Sequence, residues 1–246
     1  MKVPRAPNPL FLIDYDGTLA PLVQDPARAY PHPQVPRLLA ELSRRHPLYL
    51  VTGRRVADLE PLLPVPGLRV VGVHGMEEGI LGEEARTLVF SGVLERIERL
   101  RREVPRMEGV RLEDKGCAIA LHYRGAPDEA AVVEALQRWV ARLPEGLEPL
   151  WGKKVLEVRP AGYNKGQAVR RIVAMYPGRT PVYIGDDATD EEAFAALGED
   201  ALTIRVGPGR TRARYRLEDV EAVVAYLEGY LNPSKKAAAE QGATNG

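Results

Sequence analysis

The stretch Leu10-Phe11-Leu12-Ile13-Asp14-Tyr15-Asp16-Gly17-Thr18-Leu19 decides how the rest of this chain is read. Four successive apolar residues spell a short buried strand. The chain then delivers two carboxylates two positions apart, followed by a glycine and a hydroxyl. Alternation in extended backbone sends Asp14 and Asp16 the same way, and Gly17 allows a turn sharp enough to expose backbone N–H groups. Carboxylates, free amides and a hydroxyl at the end of a buried strand suit a divalent cation and a phosphate. They also supply a nucleophile with an acid beside it.

Composition bounds the answer without choosing it. A chain of 246 residues makes one large domain or two small ones, with a substantial core. Its 45% hydrophobic and 28% charged content is that of an ordinary globular protein. The 34 basic residues balance 34 acidic ones, so bulk electrostatics point to neither a nucleic-acid nor a membrane partner. No apolar run approaches the ~20 residues that span a bilayer, and Met1-Lys2-Val3-Pro4-Arg5 lacks a signal-peptide stretch. A cytoplasmic location is therefore expected. Cys117 stands alone, which excludes a disulfide framework and a cysteine metal cluster.

Outward from the first strand, apolar runs at 48–51, 69–73, 182–184 and 201–206 read as further strands. Between them lie helical patterns. Val35, Leu38, Leu39 and Leu42 recur at helical spacing; Ala168, Val169, Ile172 and Val173 share a face within 167–175, as do Val220, Val223, Val224 and Leu227 within 219–231. This order predicts an α/β fold, a Rossmann-like doubly wound parallel-sheet core. The middle reads differently. Two amphipathic helices (Val93, Leu94, Ile97, Leu100, then Val133, Leu136, Val140) each precede two strands, at 110–113 and 117–123 and at 147–150 and 155–158. The expectation is an inserted α+β cap domain (αββαββ) at 91–160, a core formed by 1–90 and 161–232, hinges at 90–92 and 161–164, and a disordered tail at 233–246.

Three more segments sit at predicted strand ends or helix starts. Thr52-Gly53-Arg54 follows a buried strand at the carboxyl edge, where open α/β sheets bind ligands; it is either a phosphate-binding hydroxyl with a flexible neighbour or a plain strand end. In Gly162-Tyr163-Asn164-Lys165-Gly166 a lysine opens a helix against the macrodipole, an arrangement that an anion held between them would relieve. Gly185-Asp186-Asp187-Ala188-Thr189-Asp190-Glu191 crowds acids after a strand, which calls for either a cation or a helix N-terminus. Magnesium, with its preference for hard oxygen ligands, is the natural cation.

In this order, D-Y-D-G-T-L, T-G-R, N-K-G and G-D-D-x-T-D resemble the motifs of the haloacid dehalogenase superfamily of phosphohydrolases, and the insertion matches its larger cap type. The resemblance implies that Asp14 attacks phosphorus and that Asp16 protonates the leaving oxygen, then activates water. It implies Mg²⁺ held by Asp14, the main-chain carbonyl of Asp16 and Asp186, with Asp190 close by. Thr52, Gly53 and Lys165 would bind the phosphoryl group. Asp187 would be a neighbour of the metal site or a hydrogen-bonding support.

Within that superfamily the insertion resembles the trehalose-6-phosphate phosphatase family. The residues that carry this likeness are Glu113-Asp114-Lys115-Gly116 leading to His122-Tyr123-Arg124, then Lys153 followed by Glu157-Val158-Arg159-Pro160. His74-Gly75-Met76-Glu77 and the pattern of Val206-Gly207, Thr211, Ala213 and Tyr215 extend it. The family implies a small-molecule sugar phosphate as partner, with Glu113, Lys115, Arg124, Lys153 and Glu157 recognising the disaccharide. It also suggests functional pairing with a trehalose-6-phosphate synthase. Regular strands would put Glu113 and Lys115 on one face and give Lys153 the parity of Glu157. A phosphatase for sucrose 6-phosphate or a glycosyl-3-phosphoglycerate would keep the core residues with other cap contacts. A sugar phosphomutase or a non-catalytic binder are the remaining alternatives, the last disfavoured by two intact aspartates.

Overall fold

Every residue of Pro9–Ile13 is buried, so this strand, β1, lies inside a sheet covered on both faces. A computed structural model describes residues 3–232; the tail at 233–246 lies outside the described residues. The next strands are β2 (Leu48–Val51), β3 (Arg69–Gly72), β4 (Glu77–Ile80), β5 (Arg86–Thr87), β6 (Arg111–Asp114) and β7 (Ile119–His122). They are followed by β8 (Leu147–Gly152), β9 (Val155–Pro160), β10 (Thr180–Gly185), β11 (Leu202–Val206) and β12 (Tyr215–Leu217). The helices are α1 (Val35–Arg45), α2 (Val56–Leu59), α3 (Ser91–Glu103), α4 (Glu129–Val140), α5 (Lys165–Ala174), α6 (Ala188–Leu197) and α7 (Val220–Leu231).

The large sheet runs β12-β11-β10-β1-β2-β3-β4-β5, parallel from β12 to β3 and antiparallel thereafter. Alternation along β1 divides the core. Phe11 and Ile13 pack with Leu38, Leu39 and Leu42 of α1 and Val223, Val224 and Leu227 of α7. Leu10 and Leu12 pack on the opposite face with Ala168, Val169 and Ile172 of α5 and Ala193 and Phe194 of α6. Each buried aliphatic side chain contributes roughly 1.5–3 kcal/mol against conformational entropy. The fold is thus α/β and doubly wound, with an inserted α+β unit. That unit is a separate antiparallel sheet, β6-β7-β9-β8. Ile119, Leu121, Leu156 and Val158 face Ile97 and Leu100 of α3 and Val132 and Leu136 of α4. On the face away from these helices, register aligns Glu113, Ala120 and Glu157 across three strands.

Three strands were not anticipated. Glu77–Ile80 and Arg86–Thr87 lack apolar alternation and are formed by pairing rather than burial, while Tyr215–Leu217 alternates over only three residues, with Tyr215 and Leu217 half-buried against the core. The third strand also ends one residue early. Val73 and His74 take positive φ (45° and 55°), and the chain turns through a 3-10 helix over Val73–Gly75.

Candidate active site

Parallel register brings the first and last acidic loops together. Ile13 pairs with Ile184, and the Asp14 N–H donates to the Ile184 carbonyl at 2.9 Å, so Asp14 emerges beside Gly185-Asp186 at the carboxyl edge. Gly17, at φ 73°, lies so close to Asp186 that an added Cβ would stand 2.2 Å from its Oδ2; a side chain there would displace the carboxylate.

Lys165 opens α5 behind an Asn164 cap whose Oδ1 accepts from the Gln167 N–H at 2.8 Å. Its ammonium, almost wholly buried, donates to Asp14 Oδ1 at 2.7 Å and Asp190 Oδ1 at 2.8 Å. The anions facing the helix-opening lysine are therefore carboxylates of the protein itself. Asp190 is heavily engaged: Oδ1 also accepts from the Tyr183 hydroxyl (2.7 Å), and Oδ2 accepts the N–H groups of Asp186 (2.9 Å) and Asp187 (3.0 Å). Asp187 caps α6, accepting from the N–H and hydroxyl of Thr189 at 2.8 and 2.7 Å, which favours the supporting role over the metal neighbour.

Carboxylate oxygens of Asp14, Asp186 and Asp190 lie within 4.8 Å of one another. One lysine against this group leaves excess negative charge. Burial first, then repulsion from Asp190 and its neighbours, holds the Asp14 carboxyl well above the usual range despite Lys165. Burial, then Asp190 and Asp187, raises Asp186 to about 7. Burial opposes the charge on Lys165, yet Asp14 and Asp190 outweigh it and raise its pKa further. A cluster of hard oxygens that repel one another is the donor set a divalent cation satisfies.

Asp16 is turned to a different partner. Arg54 Nε and Nη2 donate to its two oxygens, each at 2.7 Å, and the side chain of Asp16 is not part of the three-carboxylate group. Thr52 is fully buried, its Oγ1 accepting the Arg54 N–H at 3.1 Å. The Gly53 carbonyl accepts from Lys115 Nζ at 3.2 Å, a contact from the small sheet to the large one.

The residues expected in the cap divide. Lys115 donates to Glu157 Oε2 at 2.6 Å, and His74 Nε2 lies 3.6 Å from Glu157 Oε1. Burial opposes ionisation of Glu157, but Lys115 and His74 hold its carboxyl far below the usual range. Burial likewise opposes Lys115, which Glu157 and Glu113 more than offset. Glu113 pairs with His122 at 2.5 Å, and this bond, then Lys115, lowers its pKa. Arg124 and Lys153 do not join the group. Both are exposed in turns, and neither makes an ion pair or side-chain hydrogen bond among the described residues. Gly152 pairs with Val155, leaving Lys153 and Lys154 as a two-residue hairpin turn with Lys154 at φ 64°. The parity expected to carry Lys153 alongside Glu157 is broken there.

Arg54, His74, Tyr183 and Arg159 also belong to the neighbourhood and were not singled out as site residues. Three of them stand inside quoted motifs, but their partners lie far away in sequence. Arg159, for example, reaches Glu148 at 2.9 Å and Glu192 on α6 at 3.2 Å. Cys117 is buried against Ala118, Val73 and Met76, and burial first pushes its thiol up to about 12.

Structures of this shape define a class. A phosphatase of the haloalkanoate (HAD) enzyme superfamily from Bacteroides thetaiotaomicron superposes with TM-score 0.64 over 93% of this chain and 97% of that one; at 17% identity the two share the fold. The C-terminal domain of C. albicans trehalose-6-phosphate phosphatase gives TM-score 0.76 at 28% identity, over 91% of this chain and 92% of that one. Within the class, the trehalose-phosphatase family model matches residues 12–221, and the chain belongs to that family.

Similar relatives include a trehalose-6-phosphate phosphatase-related protein of Thermoplasma acidophilum, 34% identical over 85% of this chain and 91% of that protein. Trehalose-6-phosphate phosphatase of Escherichia coli is 31% identical over 89% and 85% respectively. A bifunctional trehalose-6-phosphate synthase/phosphatase of Thermoproteus tenax is 34% identical over 93% of this chain, which spans 33% of that protein. No helix among the described residues is long and apolar enough to cross a membrane.

Proposed function

We propose that the chain hydrolyses trehalose 6-phosphate to trehalose and phosphate through an aspartyl-phosphate on Asp14. The observation that carries this reading is the setting of Asp14. It is buried at the carboxyl edge of the sheet with Oδ1 held by Lys165, and no donor among the described residues is bonded to Oδ2. A nucleophile oriented through one oxygen and open at the other can attack in line.

The mutually repelling carboxylates fit Mg²⁺. Asp14 and Asp186 would hold it, with the Asp16 main-chain carbonyl that the superfamily resemblance adds; Asp190, already accepting four hydrogen bonds, organises the site instead. Bound there, Mg²⁺ supplies charge neutralisation for the phosphoryl oxygens.

Asp14 Oδ2 forms the bond to phosphorus as the bond to the sugar oxygen breaks, and Asp16 gives that oxygen its proton. Asp16, now a carboxylate, takes a proton from water; the water oxygen bonds to phosphorus and Asp14 is released. Lys165 and the Thr52 hydroxyl steady the phosphoryl charge.

The segment 91–160 acts as a cap that recognises the sugar, moving on 90–92 and 161–164 against a core made of 1–90 and 161–232. Glu113, Lys115 and Glu157, on the cap face turned toward Gly53 and His74, contact the hydroxyls. Arg124 and Lys153, exposed in turns, complete the sugar-recognising set in this reading. The T. tenax relative that joins synthase and phosphatase in one chain supports functional pairing with a synthase, which we propose takes place in the cytoplasm.

The test is phosphate release from trehalose 6-phosphate, sucrose 6-phosphate, glucose 6-phosphate and glucosyl-3-phosphoglycerate, with Mg²⁺ and with EDTA. Selective, Mg²⁺-dependent release from trehalose 6-phosphate is expected. Preference for another ester would overturn the cap assignment, and silence on all of them would overturn the hydrolase reading.

A further inference from the structure

We propose that Arg54 is a positioning residue for Asp16: it fixes the carboxyl that exchanges the proton, and acts on the reaction only through it. This rests on the role of Asp16 proposed above. Two parallel N–H···O bonds of 2.7 Å join the guanidinium to both oxygens of a residue 38 positions away. Such a fork pair fixes the plane of a carboxyl group as well as its position, which a single ammonium contact does not. Asp16 needs that restraint, because its side chain is 35% exposed on the loop leaving β1 while that of Arg54 is only 12% exposed.

Arg54 is itself held at three points. Its guanidinium lies 5.6 Å from the ring centroid of Tyr15, whose hydroxyl is anchored to the Ala29 carbonyl at 2.8 Å. Its N–H donates to Thr52 Oγ1 at 3.1 Å, and its carbonyl accepts the Val73 N–H at 2.9 Å. The peptide before it is tied to the small sheet, where Lys115 donates to the Gly53 carbonyl at 3.2 Å. Cap contact and proton-transfer geometry therefore meet in one short segment. The fork as observed is that of the ionised carboxylate, ready to take a proton from water; in the acid step Nη2 gives up Oδ1, which carries the proton to the leaving oxygen while Nε retains Oδ2.

The chemistry supplies a selective readout. A sugar alkoxide needs a proton to leave; p-nitrophenolate does not. The quantity kcat/KM covers the steps up to leaving-group departure. Arg54→Gln should lower kcat/KM for trehalose 6-phosphate by about 100-fold and for p-nitrophenyl phosphate by less than about 5-fold, as loss of acid catalysis does. Arg54→Lys should recover only part of the loss. In an Asp16→Asn background, Arg54→Gln should cost less than about 3-fold further, since residues that act as a unit are not additive.

Equal losses on both esters would show that Arg54 serves phosphate binding or the fold, and overturn the proposal. So would an unchanged Arg54→Gln enzyme, or losses that multiply in the double variant. Asp16→Asn alone separates the two claims. If it lacks the leaving-group pattern, the acid role of Asp16 has failed and the positioning role falls with it; if it shows the pattern and Arg54→Gln does not, only Arg54 is misassigned.

Discussion

Lys165 is one ammonium among three carboxylates, and that imbalance should govern how the site responds to pH and to added cations. Because Asp186 is raised to about 7, metal-free protein keeps it protonated under mildly acidic conditions. The stability gained that way is full below the ordinary carboxylate range and is lost as pH rises through about 7. Calorimetry in EDTA should find Asp186→Asn melting higher than the parent at alkaline pH, by roughly 2–4 °C for each kcal/mol relieved. Cation affinity should run the opposite way, rising with pH until Asp186 is ionised and releasing protons on binding, as titration in buffers of different ionisation heat would show. A parent that melts above the Asp186→Asn variant throughout would refute the repulsion argument. At this scale the sequence was most legible where a group's local company is diagnostic, as for Asp14, Lys165 and Asp186. Arg54 escaped notice as a site residue because its meaning lies in a partner 38 positions away.

Among the elements, buried strands and amphipathic helices were readable because apolar periodicity records which face is covered. The strands Glu77–Ile80, Arg86–Thr87 and Tyr215–Leu217, at the two margins of the large sheet, were not: the first two have no apolar alternation, and the alternation of Tyr215, Arg216 and Leu217 is too short to register. The β8–β9 hairpin shows the limit of counting parity. A turn at Lys153-Lys154 interrupts the alternation, and Lys154 holds φ 64° against the preference of a residue with a side chain. Lys154→Gly should stabilise the protein by up to about 1 kcal/mol, the left-handed penalty less the loss of a surface pair with Glu129. Chemical denaturation would read this as a higher midpoint; a lower one would mean that the Glu129 pair matters more than the backbone.

For the whole molecule, the division into a doubly wound core and an inserted sheet was visible in the change of element order, but the way the two sheets touch was not. Buried polar contacts make much of that interface: Lys115 to Gly53, Glu157 to His74, Arg159 to Glu192. The depressed Glu157 carboxyl contributes stability above the ordinary glutamate range, and this is lost as pH falls through its low folded value. The raised Lys115 contributes below the ordinary lysine range and loses it as pH climbs through its folded value. Between those limits the contact should hold, so fluorescence transfer between labels on α4 and α1 should stay flat across neutral pH. Glu157→Gln, which takes from the buried Lys115 its ion-pair partner at 2.6 Å, should lower the melting temperature and shift that signal. No change in either would show that the contact holds nothing.

The central claim is that Asp14 carries the phosphoryl group, and the most direct test is rapid quench with phosphorus-labelled trehalose 6-phosphate, followed by peptide mapping. An acid-stable, alkali-labile label on the peptide containing Asp14, absent in an Asp14→Asn variant that releases no phosphate, is the predicted result. An Asp14→Asn variant that still turns over the ester, or a label on another residue, would contradict it.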